Sequence, residues 1–211
     1  MGPSAAVRKV QREALDWIVG HVPCIGLDRR AEGFISHFGD FVPRQSRVLD
    51  IGGGWGYYAE PLRRERDCEV TVLDVVEPRF RRAPVVTYGG DRIPFPDQSF
   101  DVSLLVTVLH HVPSPEKVLA EAQRVTRRFV VVIEDIYRTA PGRLWTILRD
   151  SFYTLEFVGH PRQFRKKEEW FECFRKLGFG LEFEKEVYTS LLGIRILNGV
   201  FVLNMGNGKH G

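Results

Sequence analysis

The 211-residue chain is poor in cysteine: Cys24, Cys68 and Cys173 are its only three, far apart and without paired spacing. An odd, scattered set argues against a disulfide framework and a zinc site and fits a reducing compartment, so no metal ligands are assigned. No run of roughly twenty apolar residues occurs, and the N-terminus lacks a signal peptide's apolar stretch. A transmembrane segment is therefore excluded, and a soluble, cytoplasmic protein is expected. Repeats and low-complexity tracts are also absent. Neither charge sign dominates: the net charge of +3 permits an anionic partner without demanding one. Arginines group at Arg63-Arg64-Arg66, Arg79-Arg81-Arg82, Arg124-Arg127-Arg128 and Arg162-Arg165. Such dispersed groups read as solvated faces, so nucleic acid is not the expected partner. The length suits one domain with a substantial core.

The chain does contain a regular alternation. Val7–Val19 carries a helical apolar stripe that Pro23 ends, and a second short helix is expected over Arg29–Phe41. Apolar runs follow at Arg47–Ile51, Glu69–Val75, Val85–Tyr88, Phe100–Val108 and Arg128–Glu134. They are rich in Val, Ile and Leu at successive positions, as strands buried on both faces should be. Helical segments separate them, most clearly Ser114–Val125, with Ser114 as N-cap and Pro115 in the first turn. Strand–helix alternation predicts a parallel sheet whose ligand loops gather at the strands' C-terminal ends. The last third differs. Lys166–Leu177 reads as an amphipathic helix stopped by Gly178, and Leu181–Val187 and Ile194–Leu203 read as strands without a helix between them. Such neighbours should pair antiparallel.

The first strand runs into the stretch RVLDIGGGWGYYAEPLRR, Arg47 to Arg64. Asp50, Gly52, Gly54 and Gly56 spell D-x-G-x-G-x-G. A dinucleotide fingerprint counted from Gly52 would need glycine where Tyr57 stands, and counted from Gly53, where Trp55 stands. A P-loop is ruled out because no Gly-Lys-Ser/Thr follows. Alternating glycines let a turn take positive φ and bring backbone N–H groups against a ligand; a helix over Gly56–Arg64 would begin at that ligand. The next acid at a strand end, Asp74 in EVTVLDVVE, can accept hydrogen bonds from both hydroxyls of a ribose. An acid as close to the loop as Asp50 disfavours pyrophosphate and suits an ammonium or sulfonium. Capping of loop N–H groups is the alternative use of both acids.

With VLDIGGGWG, TVLDV, IPFPDQSFDVSLLVTVLHHVPSPEKVLAEAQRV and FVVVIED in this order, Arg47 to Glu134 resembles the class I S-adenosylmethionine-dependent methyltransferases, particularly the small-molecule group with a PFPDxSFD segment. The resemblance implies a doubly wound, Rossmann-like, seven-stranded α/β sheet, mostly parallel with an antiparallel C-terminal pair. It implies a single domain over 1–211: N-terminal helical cap 1–45, cofactor-binding core 46–136, lid insertion 137–165, and C-terminal helix and strand pair 166–204. It further implies S-adenosyl-L-methionine as cofactor, S-adenosyl-L-homocysteine as product, and Gly52, Gly54 and Gly56 around the methionine portion with Asp50 near its amino group. Asp74 would hold the ribose, Asp91 the adenine amino group and Thr107 the cofactor's flank; Gly53, Val75 and Arg92 join these contacts. One departure concerns Asp91, which precedes Ile93 by two positions, closer than the four usual in relatives. Gly53 also stands where relatives often carry Cys, Thr or Ala.

The electrophile in methyl transfer is already activated, so alignment supplies much of the rate and a base is needed only where the acceptor must lose a proton. His110 and His111 follow the fourth strand at the mouth of the expected site. His111 aligns with a histidine common in this group and is the candidate catalytic base; bracing of the loop is its other reading. No Asn-Pro-Pro-Tyr motif occurs, no Pro-Cys loop follows the fourth strand (Pro23-Cys24 lies ahead of the first), and convergent cysteines are lacking, which speaks against base amino groups, cytosine carbon and arsenic as acceptors. Glu134 and Asp135 end the fifth strand, but the resemblance does not make them metal ligands. The N-terminal segment carries Trp17, His21, Phe34, His37, Phe38 and Phe41, and the insertion Tyr137, Trp145, Phe152, Tyr153, Phe157 and Phe164. These either line an apolar or aromatic acceptor's site or pack the cap and lid. Arg138, Arg143, Arg149 and His160 would bind an acidic group or face water. The expected function is methylation of a small hydrophobic or aromatic molecule at oxygen or carbon. RNA or protein acceptors, and a silent cofactor-binding partner subunit, are the alternatives; the oligomeric state stays open.

Overall fold

The computed structural model describes residues 5–21, 26–154 and 161–205, with residues 5–9 and 12 described by their backbone alone. Pro23, Cys24, Phe157 and His160 lie outside the described residues. Two helices, α1 (Ala5–His21) and α2 (Leu27–Phe38), precede β1 (Arg47–Ile51), α3 (Ala59–Arg66), β2 (Glu69–Asp74), β3 (Val85–Thr87) and β4 (Phe100–Val106). Then come α4 (Pro115–Val125), β5 (Thr126–Asp135), α5 (Ala140–Thr154), α6 (Lys167–Lys176), β6 (Gly180–Leu191) and β7 (Ile194–Asn204).

The strands form a seven-stranded sheet in the order β3-β2-β1-β4-β5-β7-β6. β1 to β5 pair parallel, with Asp50 opposite Val72 on one side and Leu104 on the other. β7 runs antiparallel to both β5 and β6. The chain order therefore reverses between β1 and β4, and a crevice opens where loops leave these strands in opposite directions. The expected C-terminal strand pair forms, and is longer than the apolar pattern suggests. Its two-residue turn, Leu192–Gly193, takes positive φ at both positions, which matches the twist of the paired strands.

Alternation along each buried strand sorts the core into two layers. Val48, Val102, Leu104, Val131, Ile133, Val200 and Val202 face one side, where Phe34, Ile35 and Phe38 of α2 and Leu62 of α3 cover them. Leu49, Leu105, Val130, Val132, Phe201 and Leu203 face the other, under Leu119 and Val125 of α4 and Trp170 and Phe174 of α6. Each such large side chain, fully buried, contributes roughly 1.5–3 kcal/mol.

Several local expectations need correction. α3 begins at Ala59, because Gly56–Tyr58 are consumed by a turn in which Gly56 N–H donates to the Gly53 carbonyl (2.9 Å). β4 ends at Val106, since Thr107 turns to positive φ. Ser114 sits at the N-cap of α4, but its hydroxyl makes no capping bond; its carbonyl accepts from Lys117 N–H (3.1 Å). α6 is capped by Glu169, whose Oε2 accepts from Lys166 N–H (2.7 Å), and it ends before Gly178 at φ 80°. Among the described residues no helix is long and apolar enough to cross a membrane.

Candidate active site

At the end of β1 the three alternating glycines take left-handed backbone, with φ of 68° at Gly52, 49° at Gly54 and 76° at Gly56. Any side chain there would be strained. Gly53, in the middle, is glycine for a different reason. A Cβ there would stand 2.4 Å from Asp50 Oδ2 and 2.8 Å from Val72 Cγ1. The space is taken by the Asp50 carboxyl, which is buried, with Oδ2 lacking any hydrogen-bond partner. Burial, and then the nearby Asp74 carboxylate, push the Asp50 carboxyl up to about 7.

Asp74 ends β2 and is only partly buried. Its Oδ2 accepts from Gly54 N–H (3.0 Å) and its Oδ1 from Val76 N–H (3.1 Å). The capping reading therefore holds for Asp74. It holds the glycine turn against the second strand while each oxygen retains capacity for a further donor. Asp50 Oδ2 caps nothing. A cofactor bearing an ammonium and a ribose fits this pair: one orphaned, buried carboxylate oxygen for the cation, and one half-exposed, pre-oriented carboxylate for hydroxyls. At Gly54 a Cβ would meet no atom closer than Asp74 Oδ2 at 4.0 Å, so the turn leaves the approach to its backbone open.

Across the crevice, β4 hands over to its loop through Thr107, held at φ 54° while its N–H donates to the Ile133 carbonyl (2.7 Å). A β-branched residue in this region is strained, and such strain gathers at binding sites. Glu134 of β5, fully buried, fastens the next residues. Its Oε1 accepts from Val108 N–H (2.9 Å) and Leu109 N–H (2.7 Å), and its Oε2 lies 2.5 Å from His110 Nδ1. His110 is itself buried, stacked on Phe164 at 4.4 Å and tilted on His111 at 3.9 Å. Its Nε2 lies 3.5 Å from Asp150 Oδ1 of α5, without hydrogen-bond geometry. Burial works against a charge on His110, but the Glu134 and Asp150 carboxylates outweigh it and push the imidazole up to about 10. Burial likewise opposes ionisation of Asp150, yet His110, His111 and Arg149 bring it below its ordinary value. His111 Nε2 lies 3.9 Å from Asp150 Oδ1.

One cleft of about 2540 Å³ joins these parts and is lined by Asp50, Gly52, Gly53, Gly54, Asp74, Val75, Asp91, Arg92, Thr107 and His111. Gly56 stands behind the turn, where a Cβ would approach Ala83 at 3.2 Å. Asp91 and Arg92 are exposed at the rim. Sequence reasoning missed Glu134 and Asp150 as the organisers of the histidine loop, and Asp16 of α1. Asp16 accepts from Trp55 Nε1 (2.8 Å) and Arg79 N–H (2.7 Å), pinning α1 over the glycine turn. Glu134 was detectable as an acid closing an apolar strand. Asp16 and Asp150 carry no local signal, because their partners come from distant segments.

The aromatic residues divide. Phe34 and Phe38 are core, and Phe41 packs on Phe129 and Phe183, so the N-terminal segment is mainly structural. Trp17, Phe152 and Tyr153 line the cleft, with Leu27, Leu191, Leu192 and Ile196 around them. Arg149 neither reaches solvent nor waits for an acid. It is buried against Asp135, which also accepts from Asn198 Nδ2 (2.5 Å) and lies 3.6 Å from Arg30. Arg138 pairs with Glu186. Most of the arginine groups are paired too: Arg64 with Glu32, Glu60 and Glu65, Arg66 with Asp40, Arg81 with Glu77, Arg82 with Asp28, and Arg165 with Glu116. Arg124 stitches the IPFPD segment to α4, donating to the Ile93 and Phe95 carbonyls (both 2.9 Å) and pairing with Glu121 and Asp97.

Residues 49–132 match the family model described as a methyltransferase domain. The chain is 30% identical over 173 residues to a rice 2-methyl-6-phytyl-1,4-hydroquinone methyltransferase, covering 76% of this chain and 45% of that protein. It is 33% identical over 117 residues to a demethylmenaquinone methyltransferase of Renibacterium salmoninarum, covering 52% of this chain and 48% of that protein. The chain thus spans about half the length of these relatives. In fold it is similar to a solved S-adenosylmethionine-dependent methyltransferase of Thermotoga maritima, with TM-score 0.65, 21% identity, and coverage of 90% of this chain and 97% of that one. The glycine turn with its two acids, the strand order and the matched segment agree: residues 49–132 carry a methyltransferase domain, in a fold shared with solved S-adenosylmethionine-dependent methyltransferases.

Proposed function

We propose that the protein methylates a small hydrophobic or aromatic molecule, at oxygen or carbon. The single observation that carries this reading is the continuity of the cleft. It runs from the glycine turn to an apolar wall made by Trp17, Leu27, Phe152, Leu192 and Ile196, and its volume exceeds what one bound molecule usually fills. Two relatives named for 2-methyl-6-phytyl-1,4-hydroquinone and demethylmenaquinone agree with that chemistry. When bound, S-adenosylmethionine supplies a methyl group already activated by its sulfonium.

The chain's own residues do the rest. Asp50 gives its unpartnered oxygen to the cofactor's ammonium, and Asp74 adds ribose hydroxyls to the two N–H groups it already holds. Asp91 and Arg92 close the rim over the adenine, and Thr107 and the loop after it set the wall facing the methyl group. His111 takes the proton of an acceptor hydroxyl, steadied by Asp150. The paired state of the arginines speaks against a polyanionic acceptor, since neutralised side chains release few counterions.

The test is incubation with methyl-labelled S-adenosylmethionine and a panel of hydroquinones and phenols, followed by phase separation. Label in the organic phase is expected. Label only in added RNA or protein would overturn the reading.

A further inference from the structure

The loop after β4 and the inner side of α5 bring three metal-binding side chains to one wall of the cleft. Among the described residues, one donor atom each from His110, His111 and Asp150 lie within 4.8 Å of one another. Two of these separations are 3.5 Å, from His110 Nε2 to Asp150 Oδ1, and 3.9 Å, from His111 Nε2 to the same oxygen. Ligands about 2.0–2.1 Å from a tetrahedral zinc stand about 3.4 Å apart, so a small inward movement of His111 completes the set.

A second observation is independent of this proximity. His110 is buried on all sides, yet its Nε2 has no hydrogen-bond partner, while Nδ1 is held at 2.5 Å by Glu134 Oε2. Glu134 Oε1 is meanwhile occupied by two backbone N–H groups, which fixes that carboxylate as an acceptor. A carboxylate behind one ring nitrogen, with the other nitrogen facing a further potential ligand and bonded to nothing, is how metal-bound histidines are oriented and made more basic. We propose that His110, His111 and Asp150 form a binding site for a divalent first-row transition-metal ion, which displaces the Nε2 proton of His110 to solvent on binding and keeps its remaining positions open to the cleft. Two imidazoles and one carboxylate suit Zn²⁺ or Co²⁺ better than Mg²⁺ or Ca²⁺, which prefer all-oxygen shells.

For its role the site rests on the methyltransfer reading above and changes one part of it. In the loaded protein His111 is a ligand, and an acceptor hydroxyl coordinated at an open position loses its proton to solvent because the cation stabilises the resulting oxyanion. The two cysteines in the described residues, Cys68 and Cys173, are not among the grouped ligands.

The experiment is a titration of the full chain with Zn²⁺ by calorimetry and with Co²⁺ by visible absorption, without cofactor or acceptor. One saturable equivalent, with Co²⁺ bands of a nitrogen–oxygen shell and no thiolate charge-transfer band, is the expected result. Asp150→Asn and His111→Ala should each weaken binding by at least about tenfold, and Glu134→Gln by about 10–100-fold. Thermal melts of each variant identify any that fail to fold, and the parent spectrum stands without them. No saturable binding, undiminished binding in both folded ligand variants, or a thiolate band would overturn the proposal. Cofactor binding by calorimetry is measured separately, so loss of the metal site leaves the methyltransfer reading standing, and the reverse.

Discussion

The two sides of the crevice treat charge in opposite ways. At the ends of β1 and β2, Asp50 is buried with an oxygen left unpartnered, and Asp74 holds two N–H groups yet stays open to the cleft. At the ends of β4 and β5, Glu134, His110 and Asp150 are buried together, and Asp135 is enclosed by Arg149, Asn198 and Arg30. One side withholds a counter-charge that a ligand can bring. The other supplies its own and thereby fixes where loops and α5 sit. Burial of an ionised group is tolerated only with compensation, and the two sides differ in where the compensation comes from.

The sharpest way to break this comparison is Glu134→Ala. It strips two N–H groups and a buried imidazolium of their acceptor, and should cost about 3–5 kcal/mol by denaturant unfolding. A variant as stable as the parent would show that the histidine side is not held by charge. Next comes Asp74→Ala, expected to weaken S-adenosylmethionine binding by about 10–100-fold in calorimetry and to lower the melting temperature by a few degrees, because Gly54 and Val76 N–H lose their acceptor. Unchanged affinity removes Asp74 from the site.

Asp50→Asn should act in the reverse sense on stability. With its carboxyl raised from 3.8 to about 7 in the folded protein, Asp50 favours folding least above pH 7, and stability falls as pH rises from about 4 to 7. The amide variant should therefore gain about 1–3 kcal/mol above pH 7 and lose cofactor affinity, and that part of the pH slope should vanish. In the parent, affinity should weaken as pH drops through 7, because the carboxyl protonates and no longer pairs with an ammonium. A pH-independent affinity would contradict this.

His110 tests the other side. Raised from 6.5 to about 10, it contributes stability that is complete below pH 6.5 and lost as pH climbs toward 10. That upper slope should survive Asp50→Asn, and its absence would mean His110 is neutral. The smallest effect is expected for Arg64→Ala, where exposed pairs with Glu32, Glu60 and Glu65 are screened by water: the melting temperature should not move.

The legible part of the site follows from where its signals lie. Asp50, the glycines and Asp74 sit at strand ends, where apolar runs stop and the chain turns at the cleft; local pattern suffices to find them. The glycine turn could not be sorted in that way. Gly52, Gly54 and Gly56 serve positive φ, whereas Gly53 serves a contact with Asp50 and Val72 that exists only when β1 and β2 lie side by side. Arg149 was misjudged for the same reason. Its partner Asp135 is near in sequence, but burial of the pair depends on α2 and β7 closing over it.

Sequence alone determined the strand–helix order, the antiparallel finish and the acids that line the cleft at the ends of the first two strands, because these rest on periodicity and on neighbours a few residues apart. Tertiary structure alone decided which charges are satisfied. Glu134 with His110, Asp150 with both histidines, and Asp16 with Trp55 join segments that meet only through the fold. A buried charge depends on its surroundings in all directions, and a chain read along its length supplies just one of them.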